Sequence, residues 1–194
     1  MILVGLIGLI GAGKTTVAQR LVTQWGFARI SYSDALKDEV ARTLPWTLRA
    51  YLKVSDPSIR ERAPFATEEE WAAWIYRLLW VRRDEVARSL LQEWGTELRR
   101  REDPEYWVRQ WTARARHVQK VVADDVRFPN EAEQIRALGG TLVRVTRPAL
   151  DSRSTHLSET ALRDWTVVEA HLVNDGTLED LEVETDRLAK ALGA

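Results

Sequence analysis

Gly8-Leu9-Ile10-Gly11-Ala12-Gly13-Lys14-Thr15 decides how the rest of this chain is read. The stretch fits G-x-x-x-x-G-K-[ST] without a mismatch, directly after the apolar run Ile2 to Ile7 and directly before a helical pattern reaching Trp25. The chemistry explains the residue types. Glycines let backbone N–H groups turn inward around phosphate oxygens, and the following helix N-terminus adds a dipole that favours negative charge. In such a loop Gly8, Gly11, Ala12 and Gly13 present the backbone, Lys14 bridges the β- and γ-phosphates of ATP, and the Thr15 hydroxyl ligates Mg²⁺. Thr16 completes the helix start, where packing suits it better than chemistry. A dinucleotide fingerprint fits poorly, because no strand-end acid follows at the expected distance.

Working outward, five short apolar, β-branched segments read as strands: about residues 2 to 7, 27 to 31, 120 to 125, 141 to 146 and 167 to 173. Helical patterns separate them. Such alternation predicts an α/β domain with a parallel sheet covered by helices on both faces, since parallel strands need crossover connections. A second helix is expected after Ser33 and Asp34, either of which suits its N-cap, with Leu36, Val40 and Leu44 on one face and Pro45 at its end. Residues 45–116 form a long, Trp-rich, mostly helical insertion, with helix starts near Thr67 and Pro104. A short helix over Asn130 to Leu138 stops at Gly139-Gly140, and Leu178 to Leu192 is an amphipathic closing helix. The whole is expected to be one domain over 1–194, its core formed by 1–44 and 117–194, with residues 147–160 as a short lid.

Magnesium beside a phosphate loop also needs a carboxylate at the end of a neighbouring strand, and Val121-Val-Ala-Asp124-Asp125 supplies two where the apolar run stops. Adjacent strand residues point to opposite faces, so one of the pair is expected to face the phosphates. Asp125 is preferred, with helix capping as the alternative use of either acid. Arg147 and Arg153 could close from the lid and stabilise charge that develops during transfer, with solvation at the surface as the alternative use of each.

Composition narrows the classes. Lysine and arginine total 28 against 29 acids, a net charge of -1, so no global positive excess exists to hold a nucleic-acid polymer. The chain has no cysteine, which excludes thiolate catalysis, disulfides and cysteine-based metal sites, and three scattered histidines suggest no zinc site. No apolar run reaches the roughly 18 residues of a membrane span, and a cytoplasmic location is expected.

Several further stretches then fall into place: Ser31-Tyr-Ser-Asp34-Ala-Leu-Lys37, Trp94-Gly95-Thr96-Glu97, Asp103-Pro-Glu-Tyr-Trp107, Asp125-Val-Arg127-Phe-Pro-Asn130-Glu131, His156-Leu-Ser-Glu159 and Asn174-Asp175-Gly176-Thr177. In order along the chain, these resemble the deoxynucleoside monophosphate kinases of bacteriophages. The resemblance implies a P-loop, three-layer α/β/α fold with a five-stranded parallel sheet in the order 2-3-1-4-5. It implies transfer of the ATP γ-phosphate to a deoxynucleoside monophosphate with Mg²⁺, in the host cytoplasm and in service of DNA synthesis, and a tendency to homodimers. Arg127 would bind the acceptor phosphate or the transferring phosphoryl, with Asn130 beside it; a pairing of Arg127 with Glu131 is the bland alternative. Thr96, Glu97 and Arg99 would belong to the acceptor pocket, with a solvated helical face as the alternative for Arg99 and a pairing with a neighbouring arginine as the alternative for Glu97. Asp34 and Lys37 follow the second strand, where its carboxyl end faces a ligand crevice, and Asp34 serves equally as a helix cap. Either Trp94 or Trp107 would stack on the acceptor base, although tryptophans at helical spacing more often pack in a core. Residues 45–83 match nothing in that family, and they are where base contacts would lie. Rival readings are another P-loop small-molecule kinase, such as dephospho-coenzyme A kinase, and a non-catalytic nucleotide-binding switch. A GTPase is excluded by the lack of a late Asn-Lys-x-Asp.

Overall fold

The computed structural model describes residues 1–43, 68–82, 84–148, 150 and 157–194, without the side chains of residues 68, 71, 72, 82 and 159. The chain divides into two compact units, one formed by Met1–Tyr32 with Glu105–Ala194 and the other by Ser33–Pro104.

The first unit carries five parallel strands among the described residues: β1 (Ile2–Ile7), β2 (Ala28–Arg29), β3 (Lys120–Ala123), β4 (Thr141–Thr146) and β5 (Ala170–Val173). They lie in the order β2-β3-β1-β4-β5, the order the resemblance implies. Register follows the apolar pattern, with Val4 opposite both Val122 and Thr141. Strand alternation then sends β1 side chains to two cores. Leu3 and Ile7 join Val121, Ala123 and Leu142 on one face, and Val4 and Leu6 join Val122, Val143 and Val145 on the other.

Helices cover both faces. α1 (Lys14–Trp25) and α8 (Leu178–Ala191) pack together and bring Val17, Ala18, Leu21, Leu181 and Ala189 to the second core. α5 (Tyr106–Ala115) and α6 (Pro129–Ala137) bring Val108, Trp111, Ala115, Ala132 and Ile135 to the first. The helix at 106–115, read from sequence as the end of the insertion, therefore packs with the sheet: Trp111 is fully buried, stacks on Tyr32 at 4.9 Å and donates Nε1–H to Ile30 O at 2.8 Å. α6 begins with Pro129 at its first turn and ends where Gly139 takes φ +73°. Short α7 (Leu157–Thr160) precedes β5.

The second unit contains most of α2 (Tyr32–Thr43), then α3 (Glu68–Tyr76) and α4 (Glu85–Gln92). Two wider, π-helical stretches continue the last two helices, Arg77–Arg82 and Glu93–Arg100. Val40, Ile75, Leu79 and Leu90 form its core, with Leu36, Trp74 and Trp94 packed around them. Asp84 caps α4, its carboxylate accepting Ala87 N–H at 3.1 Å. Two differences from the sequence reading stand out. β2, an edge strand, is only two residues long and pairs with β3 at Ala28 and Arg29. α2 starts at Tyr32, so Ser33 and Asp34 lie inside its first turn and neither is its N-cap. Leu44, Pro45 and Thr67 lie outside the described residues.

Candidate functional site

The glycine-rich loop joins the C-terminal end of β1 to the N-terminus of α1. Gly8 takes φ +142°, and a Cβ there would lie 2.2 Å from the Val145 carbonyl oxygen, so the loop can leave β1 beside β4 only with glycine at this position. Lys14 folds back over the loop, its Nζ donating to Gly8 O at 2.7 Å and Leu9 O at 2.8 Å. That holds an ammonium group beside the helix N-terminus, where an anion is stabilised both by the dipole and by exposed amides. Thr15 is exposed and Thr16 half-buried on the first turn of α1.

A cleft of about 470 Å³ opens on this loop. Gly8, Leu9, Ala12 and Lys14 of the loop line it together with Val126, Arg127, Arg144 to Pro148, Leu150, Ser158, Leu162 and Arg163. Five of these residues are cationic, Lys14, Arg127, Arg144, Arg147 and Arg163, and none of the described lining residues is acidic. Such a lining attracts polyanions, and the arginines present planar donor pairs to phosphate oxygens. Arg127 Nη1 donates to Ser158 O at 3.3 Å. Arg144 Nη2 donates to the carbonyls of Leu162 (3.2 Å) and Trp165. Burial pushes the Arg144 guanidinium below its ordinary value, partly offset by the Asp164 carboxylate, yet an arginine remains cationic at neutral pH.

The two acids after β3 have different surroundings. Asp124 is buried, accepts the Ser31 hydroxyl at 2.5 Å and pairs with Arg29 Nε at 2.8 Å. Asp125 is half-buried, and its Oδ1 accepts the backbone N–H of Tyr32 at 2.7 Å. Asp125 thus caps the first residue of α2, doing from a distant strand end what Ser33 and Asp34 do not. A carboxylate offers about four lone-pair sites, so capping and a metal contact are compatible in kind. The buried Glu131 carboxylate accepts the backbone N–H groups of Arg127 (2.7 Å) and Phe128 (3.2 Å), fixing the turn that presents the arginine.

Other residues singled out from sequence are spread over both units. Asn130 donates to Glu105 Oε1 at 2.8 Å, and Trp107 is buried with its ring edge-on to Tyr106. Arg153 and His156 lie outside the described residues. In the second unit, Lys37 is buried and lies 3.8 Å from Asp34. Trp94 and Arg99 converge on one carboxylate that sequence reasoning passed over: Glu39 Oε1 accepts Trp94 Nε1–H at 3.0 Å and Arg99 Nε–H at 2.6 Å, and the guanidinium lies 5.6 Å from the indole centre. Thr96 is half-buried and Glu97 exposed on the same π-helical stretch, a geometry that recurs at functional sites. Arg144 and Arg163 were likewise not anticipated. The signal for Arg144 was present, a charged residue inside the apolar strand Thr141-Leu-Val-Arg-Val-Thr146.

Among the described residues no group of histidine, cysteine or acidic side chains forms a metal cluster, and no helix is long and apolar enough to cross a membrane. Thr15 and Asp125 carry a hydroxyl and a carboxylate, the hard-oxygen donor types that Mg²⁺ takes alongside waters and phosphate oxygens.

Comparison with known proteins agrees with this picture. Residues 66–185 match the family model described as deoxynucleotide monophosphate kinase, so the likeness to the family takes in 66–83, a stretch the sequence reading leaves unmatched. A protein of Acanthamoeba polyphaga mimivirus, provisionally named a deoxynucleotide monophosphate kinase, is 32% identical over 195 residues, covering 93% of this chain and 92% of its own length. The deoxynucleotide monophosphate kinase of Enterobacteria phage T4 is 32% identical over 115 residues, 54% of this chain and 46% of the relative. A dephospho-CoA kinase from Campylobacter jejuni superposes with a TM-score of 0.54 at 14% identity, covering 98% of this chain and 96% of that one, a likeness of fold alone.

Proposed function

The chain belongs to the deoxynucleotide monophosphate kinase family, and from that premise we propose that it transfers the γ-phosphate of ATP to a deoxynucleoside monophosphate, giving ADP and a deoxynucleoside diphosphate for DNA synthesis. The observation that carries this reading is the cleft on the phosphate loop, lined by one lysine and four arginines and by no described acid. Transfer between two anions needs in-line positioning and neutralisation of charge, with no covalent intermediate on the protein. Loop amides and Lys14 would hold the β- and γ-phosphates. Arg127, presented by the Glu131-braced turn, would bind the acceptor phosphate or the phosphoryl in flight, with Asn130 beside it. Arg147 and Arg153 would close from the lid. Thr15 and Asp125 would hold Mg²⁺, which when bound spreads the charge of the phosphates. By the family resemblance Asp34, Lys37, Trp94, Thr96, Glu97 and Arg99 would contact the acceptor nucleotide, Trp94 and Arg99 being gathered on Glu39.

A product screen tests the proposal: purified protein, Mg²⁺ and ATP with each common deoxy- and ribonucleoside monophosphate and with dephospho-coenzyme A, products separated by ion-exchange chromatography. At least one deoxynucleoside diphosphate is expected. Diphosphate from no nucleotide, or turnover of dephospho-coenzyme A alone, would remove it.

A further inference from the structure

Asn174 lies on the turn that leaves β5, and its side chain reaches into the phosphate loop of the same unit. Nδ2 donates to the carbonyl oxygen of Ala12 at 2.9 Å. The backbone of Asn174 is fixed separately, its N–H donating to Thr146 O at 2.7 Å beside the end of β4, so the amide is delivered to Ala12 from a rigid sheet edge. The contact leaves no room for a side chain at the next loop residue. A Cβ at Gly13, where φ is +111°, would lie 2.8 Å from Asn174 Nδ2 and 3.0 Å from Leu181 Cδ2. Leu181 arrives by the same turn: Thr177 and Asp180 cap α8 reciprocally, Thr177 N donating to Asp180 Oδ2 at 2.8 Å and Asp180 N to Thr177 Oγ1 at 3.2 Å. Asn174 to Thr177, a mere turn by its sequence, therefore builds the outer wall of the loop.

An anion-binding loop needs its amides inward and its carbonyls outward. The peptide between Ala12 and Gly13 is the weak point, because turning it changes φ of Gly13, and glycine tolerates a rotation there that other residues resist. Turning that peptide would aim the Ala12 carbonyl at a bound phosphate and withdraw the Gly13 N–H. A donor held on the outer side of the carbonyl opposes the rotation. We propose that Asn174 is a positioning residue for the phosphate loop, holding Ala12 O so that the Ala12–Gly13 peptide keeps its anion-accepting orientation. The proposal rests on the nucleotide-binding reading of the loop.

Inorganic tripolyphosphate, a probe with no base or sugar, tests it alongside ATP, each with Mg²⁺, by calorimetric titration of the wild type, Asn174→Ala and Asn174→Leu. The leucine variant keeps the volume and removes the donor. Asn174 is half-exposed, and thermal melts identify folded protein for titration. Wild type is expected to bind both probes, and each variant to bind both about three- to tenfold more weakly, the effect of one neutral hydrogen bond. A purely structural role would lower the melting temperature without moving tripolyphosphate affinity, and that result overturns the proposal. So does weakening for ATP alone, which would put Asn174 on the nucleoside. If the wild type binds neither probe, the nucleotide reading falls and this inference with it; if the wild type binds and the variants match it, only the inference falls.

Discussion

Replacing Lys14 with methionine separates the stability of the loop from its chemistry. Methionine keeps the apolar stem and deletes the ammonium group, which in the folded protein makes two charge-assisted bonds, to Gly8 O and Leu9 O. Both carbonyls lie in a part-buried loop that opens on the cleft, so water replaces much of what is lost and the fold should give up ~2 kcal/mol. From a stability of roughly 5 kcal/mol, the low end for a globular domain, that leaves about 3 kcal/mol and an unfolded fraction under about 1%. If Lys14 holds charge that develops in transfer, its removal lowers kcat on the order of 10²- to 10³-fold, or ~3–4 kcal/mol of barrier. The assay couples ADP release to NADH oxidation with saturating deoxynucleoside monophosphate, and urea denaturation followed by circular dichroism reports stability on the same preparation. The reasoning fails if kcat falls less than about tenfold, or if the fraction unfolded accounts for the lost activity.

Three substitutions test the acids. Asp124→Asn removes the charge that pairs with Arg29 and leaves a single oxygen for the donors of Arg29 and Ser31; with Arg29 one-third exposed, the loss should be ~2 kcal/mol, or a fall of ~4–8 °C in melting temperature for a chain of this size, and an unchanged melt would contradict it. Asp125→Asn keeps an oxygen for the Tyr32 amide, so its melt should shift by less than that of Asp124→Asn while half-maximal activity moves to higher Mg²⁺; an unaltered magnesium titration would discard the metal role. Asp186, bonded to Arg20 and Trp25, titrates at about 2 instead of 3.8, chiefly through its hydrogen bond to Arg20. A carboxyl depressed in the folded state stabilises fully above about pH 4 and loses that contribution as the pH falls through about 2. For a side chain 24% exposed the contribution should be ~1 kcal/mol after screening. Asp186→Asn should flatten that part of the stability profile between pH 5 and 2, as read by urea midpoints; a profile parallel to wild type would refute the assignment.

What was legible in the sequence was local. The phosphate loop is contiguous, and the strand before it and helix after it are each fixed by short-range pattern, so Ile2–Ile7 and Lys14–Trp25 emerge where the sequence puts them. Thr141–Thr146 was equally plain. β2 was overestimated because apolar β-branched residues say how readily a segment extends, and pairing depends on neighbours. The start of α2 was misread because its cap, Asp125, lies 93 residues away, beyond any capping pattern in the chain.

The candidate site shows the same division. Residue type and spacing alone identify a loop able to grip a polyphosphate, because its amides, glycines and lysine act within eight consecutive residues. Only tertiary structure could assign Asp124 to a buried pair with Arg29, gather Trp94 and Arg99 on Glu39, bring Arg144 and Arg163 to the cleft, or set Asn174 against Ala12. Each depends on which strand ends and helix faces are neighbours, and that is settled by burial of two apolar sheet faces at once, a global balance that no short stretch of chain encodes.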